Sequence, residues 1–281
     1  MKNSKKIFLE IYKNKHIYIF ILIPMALFAT FTLYPIFKTL FMGFYDWKII
    51  GSSKFVGFKN YIDAFNDPFL KISWKNTLIY SLGTVPGQMI FAMIAALLLN
   101  QKIKGRVFFR TIFFLPVITS WVVVSFIFIY LFNSQAGLIN YILKDILHII
   151  KQYYGWLSSR NSALFVIILL GIWKGIGWSM VIFLAGLQSI PDELYEAARI
   201  DGASSTQLFW RITTPLMRST IVYVLVMLII GSFQIFTSVY IITGGGPMHQ
   251  TEVVLTWLYT NAFGYLRLGY GSAIAVILTF F

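Results

Sequence analysis

Long apolar segments dominate this sequence and restrict its possible folds more than any other feature. Five of them exceed the roughly 20 residues that a helix needs to cross ~30 Å of hydrocarbon. They span residues 17–43, 77–99, 108–133, 162–187 and 218–243. A sixth begins near Gly269 and is 13 residues long, which makes about 20 Å of helix. The pattern predicts an all-α integral membrane protein with six transmembrane helices, the last one truncated.

The composition supports a membrane protein. Hydrophobic residues make up 58% of the chain and charged residues 12%, whereas soluble domains average about half apolar and a quarter charged. The net charge of +13 does not indicate nucleic-acid binding, because the charges lie between apolar segments rather than on one face. The chain has no Cys, which excludes disulfides and thiolate chemistry.

Positive charge predicts the orientation. The first apolar segment is longer than the core of a cleaved signal peptide, so we interpret it as an uncleaved span after a basic tail, residues 1–16. The connection between the second and third spans is also basic, with Lys102, Lys104, Arg106 and Arg110. Basic loops stay in the cytoplasm. We therefore expect a cytoplasmic N-terminus and a single transmembrane domain, 17–281. Its loops 44–76, 134–161 and 244–268 are then outside, and its 188–217 loop is cytoplasmic.

One predicted outer loop has helical periodicity. Its apolar residues are Ile139, Ile142, Leu143, Ile146 and Ile150. The polar residues expected on the opposite face are Asn140, Lys144, Asp145, His148 and Lys151. This amphipathic pattern has two interpretations: a helix in the outer membrane interface, or a landing surface for an external partner.

The 188–217 loop concentrates negative charge. Four of the chain's ten acidic residues lie here: Asp192, Glu193, Glu196 and Asp201. Ser189 is expected to cap a helix that begins near Pro191 and ends at Gly202 in the left-handed conformation. Ser204 and Gln207 have capping-box spacing for a second helix. The loop is predicted as two short helices joined at a glycine. It is either a docking surface or an ordinary solvated loop.

Motifs in and around this loop resemble those of a known family. The residues Glu196-Ala197-Ala198, Gly202, Ile212 and Pro215 resemble the cytoplasmic signature of ABC import permeases. Thr214 departs from it, where the family usually has Leu. Further blocks resemble the carbohydrate-uptake branch of the family: Leu33-Tyr34-Pro35, residues 55–61, residues 184–191 and residues 243–247.

The resemblance implies a function and an assembly. It implies an ABC importer permease (MetI-like) bundle in a bacterial cell membrane, which imports sugars or sugar-like solutes by alternating access. The implied partners are ATPase subunits that bind ATP and Mg, a second homologous permease subunit, an extracellular solute-binding protein and the lipid bilayer. In such families the signature loop inserts into a cleft of the ATPase. The coupling role is thereby assigned to Glu196, Ala197, Ala198, Asp201 and Gly202.

The sequence lacks the motifs of an enzyme. No G-x-x-x-x-G-K-[ST] phosphate loop occurs, so we expect ATP hydrolysis on a separate chain and no cofactor in this one. His16, His148 and His249 have no metal-ligand spacing, and no catalytic cluster can be assembled. Two alternatives remain: an intramembrane enzyme, and a secondary transporter or channel not coupled to ATP. A transporter working alone would usually show internal repeats, and none is visible here.

Polar and aromatic residues inside the spans are candidates for the substrate path. They are Gln234, Thr237, Ser238 and Tyr240, with Phe233 and Phe236 as possible stacking faces for a sugar ring, and Asn133, Trp173 and Trp178 as weaker candidates. Helix packing or an interfacial position are the alternative roles for such residues. Lys174 lies near the middle of the fourth span, where a charge costs about 3 kcal/mol. We expect it to face a partner helix or an aqueous cavity. Alternatively, the span breaks at Gly175 and Gly177 and the amine snorkels.

Overall fold

The computed structural model describes residues 15–48, 51–101 and 103–281, with side chains from Ile17 onward. The predicted basic tail lies outside the described residues, except for the backbone of its last two positions. The first elements are α1 (Lys15–Phe28), α2 (Tyr34–Met42), β1 (Tyr45–Asp46), β2 (Lys54–Phe55), α3 (Lys59–Asn66), α4 (Pro68–Asn100), α5 (Arg106–Ile118) and α6 (Trp121–Leu131). They are followed by α7 (Leu138–Tyr141), α8 (Arg160–Gln188), α9 (Asp192–Ile200), α10 (Ser205–Leu208), α11 (Thr214–Leu216), α12 (Arg218–Phe233), α13 (Thr237–Ile242), α14 (Val254–Tyr259) and α15 (Leu268–Phe280). π-Helical turns occupy Ala29–Leu33, Ile142–Ile146, Phe209–Thr213 and Thr260–Gly264.

The apolar helices agree with the predicted spans. Among the described residues, four segments are long and apolar enough to cross a bilayer: Ile17–Met42, Pro68–Asn100, Arg160–Gln188 and Arg218–Ile242. A fifth crossing results if α5 and α6, which meet at 97°, count as one broken span. Helix α15 is apolar but has only 13 residues. The multi-pass helical architecture is confirmed, and the total of six spans stays a prediction.

Helix α4 begins earlier than its apolar segment suggests. Residues 68–76 are helical, although they were predicted to belong to the 44–76 loop. Asp67 caps the helix, since its Oδ1 accepts a hydrogen bond from the Phe69 amide at 2.8 Å, and Pro68 suits the first helical position. These two and a half extra turns contain Lys71 and Lys75, which is why hydropathy alone assigned them to the loop.

The chain divides into two compact units: the segment up to Asn66 with Leu258–Phe281, and Asp67–Trp257. In the first unit, the Asn60 side chain donates to the carbonyls of Gly43 at 3.0 Å and Tyr45 at 2.9 Å. These bonds tie α3 to the β1–β2 hairpin, where Tyr45 pairs with Phe55. The sequence block 55–61 therefore has a structural role in this unit. The single domain predicted over 17–281 stays a prediction.

Helices α4 and α8 form the centre of the second unit and pack along most of their length. They run in the same direction, because Gly83 faces Ile168 and Gly87 faces Ile172. Parallel packing is what the predicted order of spans requires of the second and fourth crossings. One apolar cluster joins this pair to α6 and α13, and another joins it to α12.

A polar cluster joins the beginnings of α4 and α8 to the loop before α14. The Asn76 amide donates to the carbonyls of Gln250 at 2.8 Å and Glu252 at 2.7 Å. The Arg160 guanidinium donates to Asn76 Oδ1 from Nε at 3.0 Å and from Nη2 at 2.8 Å. In the same loop, His249 contacts the buried Glu252 carboxylate at 2.9 Å. Asn76 thus uses its whole amide to hold this loop against the helix ends.

The 134–161 loop is ordered around a residue that the sequence placed on a polar face. Helix α7 and its π-turn end at Ile146, four residues before the predicted helix does. Asn140 is buried, and its Oδ1 accepts hydrogen bonds from the Tyr154 amide at 3.2 Å and the Trp156 indole at 2.9 Å. The prediction that Asn140 lies on the polar face was wrong. Its side-chain amide is buried because it forms hydrogen bonds with backbone groups and the Trp156 indole within the loop. Nearby, the hydrogen bond to Asp145 raises the pKa of Tyr153.

Candidate functional site

The 188–217 loop begins differently from its prediction. Ser189 does not cap α9; it ends α8, where its Oγ donates to the Gly186 carbonyl at 2.7 Å. Pro191 occupies the position before α9 and offers no side-chain hydrogen bond. Asp192 and Glu193 lie in the first turn, as predicted. Their negative charge suits the partial positive charge of a helix N-terminus, which compensates for the missing cap.

The end of α9 agrees with the sequence. Gly202 has φ +78°, the left-handed conformation that favours glycine. Its amide donates to the Arg199 carbonyl at 3.0 Å, and the Ala203 amide donates to the Ala198 carbonyl at 2.9 Å. Ser204 and Gln207 then form the predicted capping box at the start of α10. The two short helices and the glycine between them are confirmed.

One contact fixes which face of α9 is free. The Tyr195 hydroxyl lies 2.9 Å from Thr213 Oγ1, and Tyr195 packs against the apolar cluster that includes α12. Side chains elsewhere on the helix are solvent-exposed, among them Glu196 and Ala197. Ile200 has 87% of its surface exposed. An isoleucine this exposed beside a carboxylate gives α9 a mixed apolar and acidic outer face.

The carboxylates of this face are available to a partner. Within 15–48, 51–101 and 103–281, no Lys or Arg forms an ion pair with Asp192, Glu193, Glu196 or Asp201. Glu196 also borders an open hollow of about 730 Å³, which it shares with Asn100, Gln101 and Arg199. The loop therefore presents unpaired negative charge next to a concave surface.

The third span is broken. Helix α5 ends at Ile118, Thr119 is extended, and Ser120 caps α6 by accepting a hydrogen bond from the Val122 amide at 3.2 Å. The two halves meet at 97°. A continuous helix had been predicted over 108–133 because Thr119 and Ser120 interrupt the apolar pattern only briefly. The last carbonyls of α5 lose their helical partners at such a break.

Lys174 supplies those partners. Its Nζ donates to the carbonyls of Pro116 and Thr119, both at 2.7 Å, and lies 3.4 Å from the Val117 carbonyl. The Trp121 ring centroid is 4.9 Å from the same atom. Lys174 is 4% exposed and α8 continues through it without a break. Snorkelling is therefore the wrong interpretation, and the predicted contact with a partner helix is confirmed.

Two neighbouring cavities lie among α4, α6, α8 and α12. The first, of about 280 Å³, is lined by residues that include Tyr80, Thr84, Gln88, Trp121, Lys174 and Trp178. The second, of about 330 Å³, is lined by Tyr80, Trp121, Gly231, Gln234, Ile235, Phe236, Thr237 and Ser238. Tyr80, Trp121 and Gly231 belong to both walls. The second cavity lies at the non-helical break between α12 and α13.

The structure separates the predicted substrate-path residues. Gln234, Phe236 and Thr237 line the second cavity and Lys174 lines the first. Phe233 and Tyr240 line neither. Their rings pack nearby, Phe233 at 6.3 Å from Trp74 and Tyr240 stacked on Phe236 at 5.3 Å. Of the weaker candidates, Trp178 lines the first cavity, whereas Trp173 packs 6.0 Å from Phe128. Asn133 forms a turn by accepting from the amides of residues 135 and 136.

The wall formed by α4 was not among the predicted substrate-path residues. Tyr80, Thr84 and Gln88 recur every four residues within an apolar span, so they share one face of the helix. All three are buried. This polar stripe is the signal that identifies them. Within the part of the chain that the structure describes, no group of three or more His, Asp or Glu residues is arranged to hold a metal.

Comparison with known proteins identifies the family. Residues 88–281 match the family described as "Binding-protein-dependent transport system inner membrane component". This match covers the 188–217 loop, α8 and the break after α12. The chain belongs to this family. Its members are non-catalytic membrane subunits, so the chain is a transport permease.

Curated relatives resemble the permease over nearly its whole length. It is 36% identical over 268 residues to the probable ABC transporter permease protein YurN of Bacillus subtilis (strain 168), covering 94% of this chain and 91% of the relative. It is 34% identical over 260 residues to the multiple sugar-binding transport system permease protein MsmF of Streptococcus mutans, covering 92% and 88% of the two chains.

Solved structures share the fold of the permease. A bacterial alginate ABC transporter, crystallised with an alginate pentasaccharide-bound periplasmic protein, aligns with a TM-score of 0.86 at 22% identity. The alignment covers 97% of this permease and 92% of that chain. At this identity the likeness establishes the fold alone. The predicted MetI-like importer permease fold is thereby confirmed.

Proposed function

We propose that this permease carries carbohydrates or carbohydrate-like solutes through the two cavities as part of an ATP-driven importer that works by alternating access. The main support for this proposal is the mixture of polar and aromatic residues that line the first cavity. The Tyr80–Thr84–Gln88 stripe offers polar groups on one side, while Trp121 and Trp178 offer flat apolar rings. Binding sites for small molecules combine apolar walls with a few placed polar groups in this way, and sugars present both hydroxyls and apolar ring faces.

The named relatives support this class of solute. Besides MsmF, the permease is 35% identical to the arabinooligosaccharides transport system permease protein AraP of Bacillus subtilis. It is 33% identical to the sn-glycerol-3-phosphate transport system permease protein UgpA of Yersinia pestis. Polyhydroxylated solutes are common to these names, which agrees with the chemistry of the cavity walls.

In this proposal the solute passes from one cavity to the other at the break between α12 and α13. Discontinuous helices commonly form transporter sites because their free backbone groups and side chains face a cavity. Gln234, Phe236 and Thr237 contact the solute there, and Phe233, Tyr240 and Lys174 support the wall. Trp121 and Tyr80 stand between the two cavities, since both residues line each of them.

The outer face of α9 is the proposed contact with the ATPase. Glu196, Ala197, Ala198, Asp201 and Gly202 couple the permease to ATPase subunits, which bind the ATP and Mg. The exposed, unpaired Glu196 suits a basic group on that partner. Tyr195 and Thr213 transmit the movement of α9 to the π-turn that leads into α11 and the start of α12, because their hydroxyls lie 2.9 Å apart.

The remaining partners follow from the family, and the proposed orientation gives each of them its side of the membrane. We place the N-terminus and the 188–217 loop in the cytoplasm of a bacterial cell, with loops 44–76, 134–161 and 244–268 outside. An extracellular solute-binding protein delivers solute to the outer loops. A second, homologous permease subunit completes the pathway within the bilayer.

Purification and transport test the assignment. The full-length permease is recovered from its native membrane in mild detergent, and co-purifying proteins are identified. The expected result is an ATPase with a phosphate loop and a second permease, together with solute uptake in vesicles that requires ATP. Recovery of the chain alone, still transporting without ATP, would instead identify a secondary transporter.

Replacing Trp178 by Ala is expected to raise the half-saturating solute concentration about thirtyfold. An aromatic contact is worth about 1 kcal/mol beyond the area it buries, and the area adds a similar amount. Trp173→Ala is the matched control, because Trp173 lies on the same helix but lines neither cavity. Uptake kinetics in vesicles measure both. Equal effects of the two variants would contradict the proposed binding wall.

A further inference from the structure

The ammonium of Lys174 is committed to the protein backbone. An ammonium has three N–H donors, and three carbonyls of one short segment, 116–119, lie within 3.4 Å of Nζ. The fourth neighbour is the face of Trp121. Although Lys174 borders the first cavity, its donors point at the end of α5. The geometry therefore does not direct the ammonium toward an anionic solute in the cavity.

The break in the third span explains why a charge is kept at this depth. Pro116 cannot donate a backbone hydrogen bond, and the carbonyls after it have no amides in front of them. Thr119 Oγ1 donates to the Pro116 carbonyl at 2.6 Å, which satisfies one lone pair. The remaining lone pairs of the carbonyls of residues 116–119 need another donor. A cation there satisfies several acceptors at once and interacts favourably with the negative end of α5.

Close packing brings the amine to this point. At Gly177, one turn after Lys174, α8 approaches α5 so closely that a Cβ would overlap the Phe113 carbonyl oxygen. The helices are therefore in backbone contact just before the break. Because the two helices are this close, the Lys174 side chain is long enough for Nζ to contact the carbonyls of residues 116–119.

We propose that Lys174 is a positioning residue that holds the 97° break in the third span and, through it, keeps Trp121 on the wall shared by the two cavities. Trp121 is the first residue of α6, so the direction of α6 sets the position of its ring. The effect on transport rests on the proposed function of the cavities. The effect on the bend does not.

Distance measurements between spin labels test the bend directly. The chain has no Cys, so Val107→Cys and Tyr130→Cys place one label on each half of the span at exposed positions. Labels are measured in the importer complex recovered from the membrane, with the complex of unlabelled permease as background. The parent is expected to give one narrow distance distribution. Lys174→Met is expected to broaden it at least about twofold, because the freed carbonyls no longer favour one bend.

Rescue distinguishes positioning from general damage. Lys174→Arg retains the charge and the donors and is expected to restore the narrow distribution. Lys174→Gln keeps a neutral donor and is expected to give an intermediate width, which also provides a measurement if the Met variant does not accumulate. An unchanged narrow distribution in Lys174→Met, or in Lys174→Gln when only that variant is recovered, overturns the proposal. So does a failure of Lys174→Arg to narrow the distribution.

A variant of the opposite wall separates the two hypotheses. Gln88→Leu removes a polar group of the first cavity that bonds the Gly171 carbonyl and not the break. It is expected to weaken solute uptake while the label distances stay unchanged. In Lys174→Met, the half-saturating solute concentration is expected to rise about tenfold. If the distances broaden but neither variant alters uptake, the positioning role stands and the carbohydrate cavity fails.

Discussion

Replacing Glu196 by Lys is expected to lower solute uptake at least about 100-fold while the permease remains folded. Loss of one partner of a desolvated charge pair costs about 2–5 kcal/mol, and about 3 kcal/mol corresponds to 100-fold. The substitution adds like-charge repulsion against a basic partner. Folding is not affected, because Glu196 is exposed and makes no ion pair within the residues that the structure describes.

The measurement is ATP-driven uptake in vesicles, with ATP hydrolysis and the yield of folded permease measured in parallel. Glu193→Lys is the matched control, since it makes the same charge change one turn earlier in α9. Gly202→Asp should also uncouple hydrolysis from uptake, because a side chain at φ +78° strains the turn between α9 and α10. Normal uptake in Glu196→Lys would show that transport does not depend on a charge pair between Glu196 and the ATPase. An equal loss of uptake in Glu193→Lys would mean that the net negative charge of α9, rather than a specific charge pair at Glu196, attracts the partner.

Gly177→Ala is expected to destabilise the permease by about 2 kcal/mol and to lower its thermal midpoint in detergent by about 5 °C. The added Cβ would overlap the Phe113 carbonyl oxygen and lie 2.9 Å from Val117 Cγ2. Backbone cannot rotate away as a side chain can, so α5 must move away from α8. This cost outweighs the gain of about 1 kcal/mol in helix propensity.

Gly231→Ala provides the comparison. Gly231 also lies in an apolar helix, and a Cβ there meets nothing within 4 Å. Its thermal midpoint is expected to stay the same or rise slightly. A fall of equal size in both variants would mean that glycine substitution in any span is destabilising, and the close approach of α5 and α8 would then have no special energetic role.

Much of the architecture could be predicted because it depends on local sequence. Hydropathy located most ends of the apolar helices to within a few residues, although it missed the first nine residues of α4 and the break in the third span. Gly202, Ser204 and Gln207 act through neighbours three or four positions away. Ser189 shows the limit of such rules. It could have capped α9, but α8 continues to Gln188 and uses Ser189 for its own end. Ser189 can provide a hydrogen bond at the end of α8 or at the start of α9, and the local sequence does not determine which of the two forms.

The site was harder to predict because its parts are distant in sequence. Lys174 was identified as unusual, but its acceptors lie 55 to 58 residues earlier and exist only because the third span breaks. The wall of the first cavity combines α4, α6, α8 and α12. Tyr80, Thr84 and Gln88 could have been found from their four-residue spacing. Trp121 could not, since its position depends on the bend.

Helix α8 has a mechanical consequence. It has 29 residues and is about 43 Å long, with the 188–217 loop directly after its last residue. Its first residue, Arg160, donates a hydrogen bond to Asn76, which in turn donates to the backbone carbonyls of residues 250 and 252. A stiff rod therefore connects the two faces of the membrane without a flexible joint. We expect a displacement of its first residues to be passed along α8 to the 188–217 loop at its other end.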